Sequence, residues 1–323
     1  MPPIKADFLV IIVNWNTKAL LSRCLTSLRA CKKAIDFDTA VIDNGSQDGS
    51  ATMVANEFPE CRLLRNEQNL GFAKANNFAF NSFPGYEHYL LLNSDASVTL
   101  EAMEALLSLL RMYPDIAAAG PALKLPNGRY QFGGAGWGPS WLYAFNTFFL
   151  LSNASRLFRG LFICQENYAK SQQPVMVDWL AGACLLIRAA ALKDVGILDE
   201  RYFVYGEDAD WCWRARKKGW KIAYLPYVCV LHEMGASSAF KLNTSWFLNL
   251  ASAVKARGSK MNYVLFLICG LIGYFIRLTL YAIQCLIKND KGSLKCGRQC
   301  ASLFNICCKL VVSSVSSIQQ EPR

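Results

Sequence analysis

The sequence predicts an α/β fold in which helices flank a mostly parallel central sheet. Two observations predict it. Short apolar runs of strand length alternate with longer segments that have a helical apolar period. The short runs contain few polar residues, which is typical of strands covered on both faces. With 323 residues, 53% of them hydrophobic, the chain can form one large domain or two smaller ones.

The first strand is predicted at residues 8–13, where FLVIIV is an unbroken apolar run. A helix follows over 18–31, where Leu21, Leu25 and Leu28 share one face. The alternation then continues, with strands predicted at 39–43, 61–66 and 88–93 and helices at 48–58 and 71–83. Alternating elements of these lengths predict parallel strands joined by helices.

The middle of the chain extends the same domain. Its predicted elements are a helix over 99–112, a strand over 117–123, a turn at 126–128, a strand over 183–187, a short helix, a helix over 206–219, and two strands over 221–226 and 228–232. We therefore predict a first domain at 1–240 and a second, helical and membrane-associated region at 241–323.

Residues 137–163 differ in composition from their surroundings. The segment reads WGPSWLYAFNTFFLLSNASRLFRGLFI, in which only Arg156 and Arg159 are charged. Two interpretations stay open. It is an interfacial membrane segment with its aromatic rings at the headgroup level, or a hydrophobic subdomain packed on the sheet.

Residues 263–287 form a second apolar segment. At about 1.5 Å per residue, a helix of this length could cross a hydrocarbon core of ~30 Å. Arg277 argues against a simple span, because a central arginine costs about 2.5–3.5 kcal/mol on insertion scales. Basic residues flank both ends, which favours monotopic or peripheral attachment to the cytoplasmic face of the cell membrane, with a single span as the alternative. Beyond it we predict an amphipathic helix with free thiols from Cys296, and disorder over 313–323.

Charge and cysteine content restrict the partners and the compartment. A net charge of +10 favours an anionic partner. Because no nucleic-acid-reading motif is present, phospholipid and diphosphate are preferred over nucleic acid. Thirteen cysteines occur, but residues 1–8 lead directly into the first strand without a separate apolar targeting stretch, which favours a reducing cytosolic compartment.

Polar residues collect where the predicted strands end. Asn14 and Trp15 follow the first strand, Asp43 ends the second, and Asn93 to Asp95 end the fourth. In open α/β sheets ligands bind beyond the carboxyl ends of the strands, so these side chains should share one rim. The alternative is that Asp43 and Asp95 cap the helices that follow them. The first turn lacks the glycine-rich pattern of a dinucleotide fold, which argues against a dehydrogenase.

Seven segments, taken in order, resemble the inverting glycosyltransferases of family 2, which have the GT-A fold. The resemblance runs from about residue 8 to 238 and is closest to the rhamnosyltransferase-like enzymes of bacterial polysaccharide synthesis. The segments are VIIVNWNT, VIDNGSQDGS, NEQNLGFAKANN, YLLLNSDASV, DWLAGACLLIR, GILDERYFVYGEDADWCWRARKKGW and VLHEMGASS.

The resemblance implies a nucleotide site. Physical chemistry allows the same roles, since an indole can stack on a base and a carboxylate can accept from a base N–H, while backbone N–H groups at a helix start favour anions. For Trp15 the alternative is core packing, and for the stretch after Asn69 it is an ordinary helix start. The expected nucleotide residues are Val13, Trp15, Asp43, Asn69, Gly71, Lys74, Asn77 and Ser94.

The resemblance also implies a divalent cation, Mn²⁺ or Mg²⁺, held by Asp95 and His232. A cation would neutralise the charge that grows on a departing diphosphate. The family's common pattern has two aspartates, whereas this chain has Asn93, which leaves one carboxylate and puts tight metal binding without donor in doubt. Without the resemblance, a lone histidine after a strand is more often structural.

The expected catalytic base is Asp208, which similar enzymes use to take a proton from the acceptor hydroxyl. Glu207 would orient the acceptor or adjust the local charge. The alternative is that these acidic residues stabilise a helix N-terminus, and for Asp210, four residues before Arg214, a structural pair is favoured. The donor sugar and acceptor are expected to be lined by Glu207, Trp179, Gly182 and Ala183.

The predicted function is an inverting, metal-dependent transferase. It would move a sugar from a nucleoside diphosphate to a hydroxyl of a lipid-linked saccharide at an anionic membrane surface. The leading donor is dTDP-rhamnose, with a UDP-sugar as the alternative. A sugar nucleotidyltransferase is a rival, although the first turn lacks its glycine-rich and basic loop. A catalytically silent membrane or scaffold protein on the same fold is the other rival.

Overall fold

The computed structural model describes residues 8–138, 140–155, 157–233, 245–257, 259–288 and 291–319. These residues form two compact units. The first, the sheet unit, consists of residues 8–136 and 165–233. The second, the helical unit, consists of residues 137–164 and 245–319 with the same gaps.

The sheet unit is built on one large mixed sheet and a small two-stranded one. All of its strands, in chain order, are β1 (Phe8–Asn14), β2 (Asp38–Asp43), β3 (Arg62–Arg65), β4 (His88–Asn93), β5 (Ala96–Ser97), β6 (Ile116–Lys124), β7 (Ala135–Gly136), β8 (Val175–Val177), β9 (Trp179–Leu180), β10 (Cys184–Arg188) and β11 (Lys221–His232). The large sheet has the order β3-β2-β1-β4-β10-β6-β11-β5, with β8 paired to β11, and β7 pairs with β9.

Strand direction divides the large sheet. The strands β3, β2, β1 and β4 are parallel to their neighbours, as are β6 and β11. By contrast, β10 runs antiparallel to both β4 and β6. The predicted α/β class with a mostly parallel central sheet is confirmed.

The helices of the sheet unit cover both faces of the large sheet. They are α1 (Lys18–Cys31), α2 (Ser50–Glu57), α3 (Phe72–Ser82), α4 (Leu100–Met112), α7 (Ala189–Val195) and α8 (Glu207–Lys217), with a 3₁₀ turn at Gln165–Tyr168. Residues 8–12 of β1 are at most 1% exposed, as expected of a strand covered on both sides. The predicted face of α1, with Leu21, Leu25 and Leu28, joins the main core.

One strand prediction needs correction. Residues 221–226 and 228–232, predicted as two strands, form the single strand β11, whose register against β6 shifts between Leu225 and Cys229. Pro226 lies inside the shift and has no N–H to donate to a ladder, so the strand continues but its pairing is interrupted there. The proline interrupts the pairing without ending the strand, and for that reason the prediction of two strands is wrong.

The helical unit contains α5 (Trp141–Phe148), α6 (Leu151–Ala154), α9 (Ser245–Arg257), α10 (Lys260–Lys288) and α11 (Lys291–Gln319). Its core includes aromatic contacts between α5 and the later helices, such as Phe148 with Tyr274 at 5.1 Å between ring centroids. The aromatic segment 137–163 therefore packs on the C-terminal helices of its own unit. The tail predicted to be disordered is helical as far as Gln319, and residues 320–323 lie outside the described part.

Arg277 points back onto α5. Its Nη1 donates to the carbonyl of Phe148 at 2.6 Å and to that of Gly273 at 3.2 Å, and its Nη2 donates to the carbonyl of Thr147 at 3.0 Å. Carbonyl groups at a helix C-terminus carry partial negative charge, so they are suitable partners for a guanidinium. Among the described residues, 260–285 form one helix that is long and apolar enough to cross a membrane.

Candidate active site

The ends of three adjacent parallel strands bring the first site residues together. Asn14 pairs with Asp43 across β1 and β2, and Val13 pairs with Asn93 across β1 and β4. Because the strands are parallel and in register, the residues that follow each strand emerge at one edge of the sheet. Val13 and Trp15 are half-buried there.

Asp43 is buried and fixed by two hydrogen bonds. Its Oδ1 accepts from Asn14 Nδ2 at 3.0 Å, and its Oδ2 accepts from the Ser46 N–H at 3.0 Å. These contacts hold the carboxylate at the strand end and leave further lone pairs on both oxygens for a ligand donor.

The capping alternative is wrong for both aspartates. Helix α2 begins after Gly49 with no side-chain cap, so Asp43 does not cap it. Helix α4 is capped by Thr99, whose hydroxyl accepts from the Ala102 N–H, so Asp95 does not cap that one. Neither carboxylate therefore caps the start of a helix.

A cavity of about 320 Å³ opens beside Asp43. It lies between the ends of β2 and β3, and its lining includes Asp43, Ser46, Thr52, Arg65, Asn66 and Glu67. Polar and charged groups dominate this lining, which suits a polar ligand group better than an apolar one. Trp15 lies outside the lining, at the end of the neighbouring strand.

A buried row of side chains leads from Asp43 to the fourth strand. Thr17 Oγ1 donates to Asn14 Oδ1 at 2.6 Å and lies 2.8 Å from Ser94 Oγ. Asn14, Thr17 and Ser94 are each at most 5% exposed. Ser94 is thus held from the first strand, and it directly precedes Asp95.

Asp95 and His232 meet although 136 residues separate them in the chain. Strand β11 pairs with the two-residue strand β5, which places His232 opposite Ala96. Asp95 Oδ1 lies 3.0 Å from His232 Nε2, and both side chains are at most 7% exposed. Asn93 Nδ2 approaches the same ring nitrogen at 3.1 Å.

The contact with Gln131 indicates which ring nitrogen of His232 carries the proton. The amide oxygen Oε1 of Gln131 lies 2.6 Å from Nδ1, so Nδ1 carries the proton and donates it. In that tautomer Nε2 carries a lone pair, and it lies 3.0 Å from Asp95 Oδ1. Consistently, Asp95 Oδ1 is buried without a hydrogen-bond partner among the described residues.

This arrangement fits a divalent cation. Two lone-pair groups that lie 3.0 Å apart repel unless a proton or cation joins them. A carboxylate suits both Mn²⁺ and Mg²⁺, whereas an imidazole suits a transition ion such as Mn²⁺ better than Mg²⁺. The Asn93 amide would give up its contact with Nε2 when a cation binds. No group of three or more His, Cys, Asp or Glu side chains that could hold a metal occurs in the described ranges, so Asp95 and His232 would be a two-residue site among these ligand types.

Asp208 lies in the first turn of α8. Its Oδ2 accepts from the Gly182 N–H and its Oδ1 from the Ala209 N–H, both at 2.7 Å. Just before the helix, Tyr205 and Gly206 have φ of 67° and 106°. Left-handed backbone is uncommon for a tyrosine, and the turn it makes aims the start of α8. Burial raises the pKa of Asp208, and its backbone hydrogen bonds oppose that shift.

Glu207 is a second, more deeply buried carboxyl beside Asp208. It is 3% exposed, and its Oε2 has no hydrogen-bond partner within the described part of the chain. Burial first, and the Asp208 charge second, raise the pKa of Glu207 to about 8. By contrast, Asp210 forms the predicted structural pair with Arg214, at 2.7 Å from Oδ2 to Nε.

Backbone bonds connect Asp208 to the end of the fourth strand. Gly182 donates to Asp208, and the carbonyl of the next residue, Ala183, accepts from the Asn93 N–H at 3.0 Å. Gly182 is tightly enclosed, since an added Cβ would lie 3.1 Å from the Phe72 ring. One continuous set of contacts therefore joins Asp43, Asp95, His232 and Asp208.

Three other predicted nucleotide residues, Asn69, Gly71 and Lys74, lie around the start of α3. Helix α3 begins beneath the loop that leads to α8, where the Phe72 N–H donates to the Phe203 carbonyl at 2.9 Å. Gly71 has φ of 82°, and a Cβ there would lie 2.4 Å from the same carbonyl. One N–H at this helix start is therefore already hydrogen-bonded within the protein. Asn69 accepts from the Gly71 N–H at 2.9 Å, and Lys74 is exposed.

Asn77 and Trp179 require correction. Asn77 is 1% exposed, and its amide exchanges hydrogen bonds with the Leu198 backbone and donates to Glu200. Its polar groups are committed to the 198–200 loop, so we no longer place it at the nucleotide. Trp179 is 8% exposed and lies in β9, which leaves little ring surface for a sugar to stack on.

Several site residues were missed from the sequence. Thr17 and Gln131 contact Ser94 and His232. Thr17 ends the segment VIIVNWNT without a predicted role, and Gln131 stands in none of the seven segments. Arg65 ends the short strand β3, Glu67 stands in the segment NEQNLGFAKANN, and both line the cavity. Only their place at the end of that strand could have indicated this. For Gln131 the sequence offers no signal, because its partner lies 101 positions away.

Comparison with known sequences finds a matching family. The family described as "Glycosyltransferase like family 2" matches residues 3–248. An N-acetylglucosaminyl-diphospho-decaprenol L-rhamnosyltransferase of Mycobacterium tuberculosis is 30% identical over 244 residues, which cover 71% of this chain and 76% of the relative. Rhamnosyltransferase WbbL of Escherichia coli is 37% identical over 57 residues, covering 18% and 22%.

Solved structures have a similar fold. A mannosyltransferase, PcManGT from Pyrobaculum calidifontis in complex with GDP-Man and Mn²⁺, has a TM-score of 0.59 at 13% identity and covers 96% of this chain and 87% of its own. GalNAc-T7 with UDP, GalNAc and Mn²⁺ has a TM-score of 0.53 at 15% identity, covering 78% and 48%. At these identities the likeness shows a shared fold.

Proposed function

The chain belongs to glycosyltransferase family 2 and has the GT-A fold, and on that premise we propose the reaction it performs. It is an inverting, divalent-cation-dependent transferase. It moves a sugar, with rhamnose as the leading candidate, from a nucleoside diphosphate to a hydroxyl of a lipid-linked saccharide in cell-surface polysaccharide synthesis.

The proposal rests on the contacts that connect four side chains of the sheet unit. Asp43, Asp95, His232 and Asp208 come from four separate parts of the chain, yet a single set of short contacts connects them. Transfer from a nucleotide sugar needs a base-binding group, a diphosphate-binding group and a proton acceptor within one substrate length. These side chains supply one of each.

The nucleotide would bind at the ends of β1 and β2. Asp43 is oriented by Asn14 and the Ser46 N–H and can accept from a base N–H. The cavity of about 320 Å³ beside it has room for part of a nucleoside. Thymine and uracil both offer an N–H to such a carboxylate, so dTDP and UDP donors both fit it.

Asp95 and His232 would hold the cation. When bound, a divalent cation neutralises the negative charge that develops on the leaving diphosphate. The chain contributes one carboxylate oxygen and one ring nitrogen, in a pocket where both are at most 7% exposed. Two protein ligands leave most positions to the diphosphate, so the cation should bind together with nucleotide more tightly than alone.

Asp208 would act as general base. Its two oxygens are fixed by backbone N–H groups at 2.7 Å, so the carboxylate is oriented before substrate arrives. It takes the proton of the acceptor hydroxyl while the hydroxyl oxygen bonds to the anomeric carbon and the bond to the diphosphate oxygen breaks. Attack opposite to the leaving group inverts that carbon. A raised pKa improves a carboxylate as a base near neutral pH.

The relatives support a rhamnosyl donor and a lipid-linked acceptor. The M. tuberculosis relative is named for transfer of L-rhamnose to an N-acetylglucosaminyl-diphospho-decaprenol, and the E. coli relative is a rhamnosyltransferase. The match to the first covers 71% of this chain. We infer an acceptor of the same chemical class, a sugar on a polyprenyl diphosphate.

The helical unit would attach to the membrane. Large apolar side chains are exposed along α10 and α5, including Ile272, Phe275, Leu280, Ile283, Trp141 and Phe145. The bonds of the Arg277 guanidinium to α5 carbonyls lower the cost of burying this face in lipid. Monotopic attachment at the cytoplasmic face fits these contacts, with a single span as the alternative.

The test is product analysis with a panel of nucleotide sugars. Purified protein is incubated with Mn²⁺ or Mg²⁺, a polyprenyl-diphosphate saccharide, and dTDP-rhamnose or UDP-, GDP- and other dTDP-sugars. We expect acceptor-dependent release of nucleoside diphosphate, fastest with dTDP-rhamnose. Release of pyrophosphate would instead favour a nucleotidyltransferase, and inactivity across the panel would contradict the proposal.

A further inference from the structure

We propose that Gln131 is a positioning residue that sets the tautomer of His232 and so directs its Nε2 lone pair at the cation site. The inference rests on the proposed metal role of His232. Gln131 touches no substrate in this account. It acts through the ring, by holding the proton on the nitrogen that faces away from Asp95.

Both backbone polar groups of Gln131 are hydrogen-bonded. Its N–H donates to the Leu123 carbonyl at 2.9 Å, and its carbonyl accepts from Gln165 Nε2 at 2.9 Å. Gln131 is 7% exposed and Gln165 is 2% exposed. A Cβ at Gly134 would lie 2.7 Å from Gln165 Nε2, so the glycine leaves the room that this contact needs.

The side chain makes the contact that matters for the ring. Its Oε1 lies 2.6 Å from His232 Nδ1, a short distance for an N–H donor and an amide oxygen. A ring that donates from Nδ1 has its lone pair on Nε2, the atom 3.0 Å from Asp95 Oδ1. Histidines that bind metals usually donate their second N–H in this way, which fixes the ring orientation and makes the ligand nitrogen more basic.

Two substitutions separate positioning from packing. Gln131→Glu keeps an acceptor oxygen at the same reach, so it should preserve the Nδ1–H tautomer. Gln131→Met keeps the length of the side chain but offers no comparable acceptor, so it should release the ring. A purely structural role predicts the opposite ranking, because a buried carboxylate disturbs packing and solvation more than a thioether does.

The first measurement is ¹⁵N NMR of the histidine rings at about pH 8 in the full-length protein. The chain has only two histidines, His88 and His232, and the signal lost in His232→Gln assigns the second. We expect Nδ1–H in the wild type and in Gln131→Glu, and an Nε2–H or mixed population in Gln131→Met. An Nε2–H or doubly protonated ring in the wild type, or an unchanged ring in Gln131→Met, would overturn the proposal.

The second measurement is Mn²⁺ affinity, by electron paramagnetic resonance in the presence of UDP or dTDP and without sugar transfer. Loss of a residue that orients a metal ligand typically weakens metal binding by about 10–100-fold. We expect such a loss in Gln131→Met and a change of no more than about 3-fold in Gln131→Glu.

The outcomes separate this proposal from the proposed function. If the wild type binds Mn²⁺ and Gln131→Met binds it equally well, the positioning role is wrong and the transferase proposal stands. If the wild type binds no Mn²⁺ with nucleotide present, the positioning role fails together with the metal role of His232. Sugar transfer by that same protein would then show that the reaction itself does not depend on this pair.

Discussion

Glu207 is expected to make the folded protein less stable as the pH rises through the neutral range. Burial and the charge of Asp208 raise its pKa from 4.5 to about 8 in the folded protein. In the unfolded chain the carboxyl titrates near its ordinary value. Between these two pKa values the folded protein keeps a proton that the unfolded chain releases, so the free energy of unfolding falls with increasing pH.

The size of the effect follows from the gap between the two pKa values. One pKa unit corresponds to about 1.4 kcal/mol. The gap between 4.5 and about 8 therefore gives an upper limit of about 5 kcal/mol, fully present below pH 4.5 and lost by about pH 8. The side chain is 3% exposed, so water screens little of it. Asp208, whose pKa is also raised, adds a loss of the same sign.

The matched variant is Glu207→Gln, which is neutral at every pH and has nearly the same shape. Denaturant unfolding of both proteins at pH 5 and pH 9 gives the comparison. From pH 5 to pH 9, the variant should gain stability relative to the wild type by a few kcal/mol. An identical pH dependence in the two proteins would mean that Glu207 does not titrate with a raised pKa in the folded protein.

A control separates the two causes of the shift. Asp208→Asn removes the neighbouring charge but leaves Glu207 buried. Since burial is the larger cause, the stability loss should remain and move to lower pH. A loss that vanished in this variant would mean that the charge of Asp208, rather than burial, controls Glu207.

Three further predictions concern other positions. Asp208→Asn should abolish sugar transfer, because an amide cannot act as the base. Its donor affinity by isothermal titration should stay within about 3-fold of the wild-type value, since the amide keeps the Gly182 contact. Wild-type turnover in this variant would show that Asp208 is not the base. Asn77→Ala should lower the free energy of unfolding by about 1–3 kcal/mol, since it leaves the buried Leu198 groups unpaired, with nucleotide affinity unchanged; a selective loss of nucleotide binding would restore its predicted role. Arg277→Met should destabilise by about 1–3 kcal/mol in thermal unfolding because α5 carbonyls lose their donor, and an unchanged melting temperature would contradict that role.

The sequence predicted the parts of the fold that depend on local patterns. Strand β1 is apolar up to Asn14, and β4 has the apolar centre YLLL, as expected of strands covered on both faces. Their positions were predicted within one residue. The two-residue strands β7 and β9 are too short to show a period. The continuity of β11 past Pro226 also depends on its neighbour β6, which no local pattern reports.

The site was predictable where a residue follows a strand, and less so where it depends on distant partners. Asp43 and Asp95 lie at strand ends, so the parallel sheet itself brings them to one edge. Asn77 lies in the helix that begins just after Asn69, and only its contacts with the 198–200 loop show that its amide is already hydrogen-bonded elsewhere. The role proposed for Gln131 could not be predicted from the sequence, because it arises from a contact between residues that are 101 positions apart.

The most direct test of the account is a crystal structure of the protein with Mn²⁺ and a nucleoside diphosphate, with data collected at the manganese absorption edge. We predict one anomalous peak within about 2.0–2.5 Å of both Asp95 Oδ1 and His232 Nε2, with diphosphate oxygens completing the coordination and the base beside Asp43. A manganese ion bound away from Asp95 and His232, or a nucleotide whose diphosphate lies outside the edge formed by β1, β2 and β4, would contradict the proposed cation and nucleotide sites.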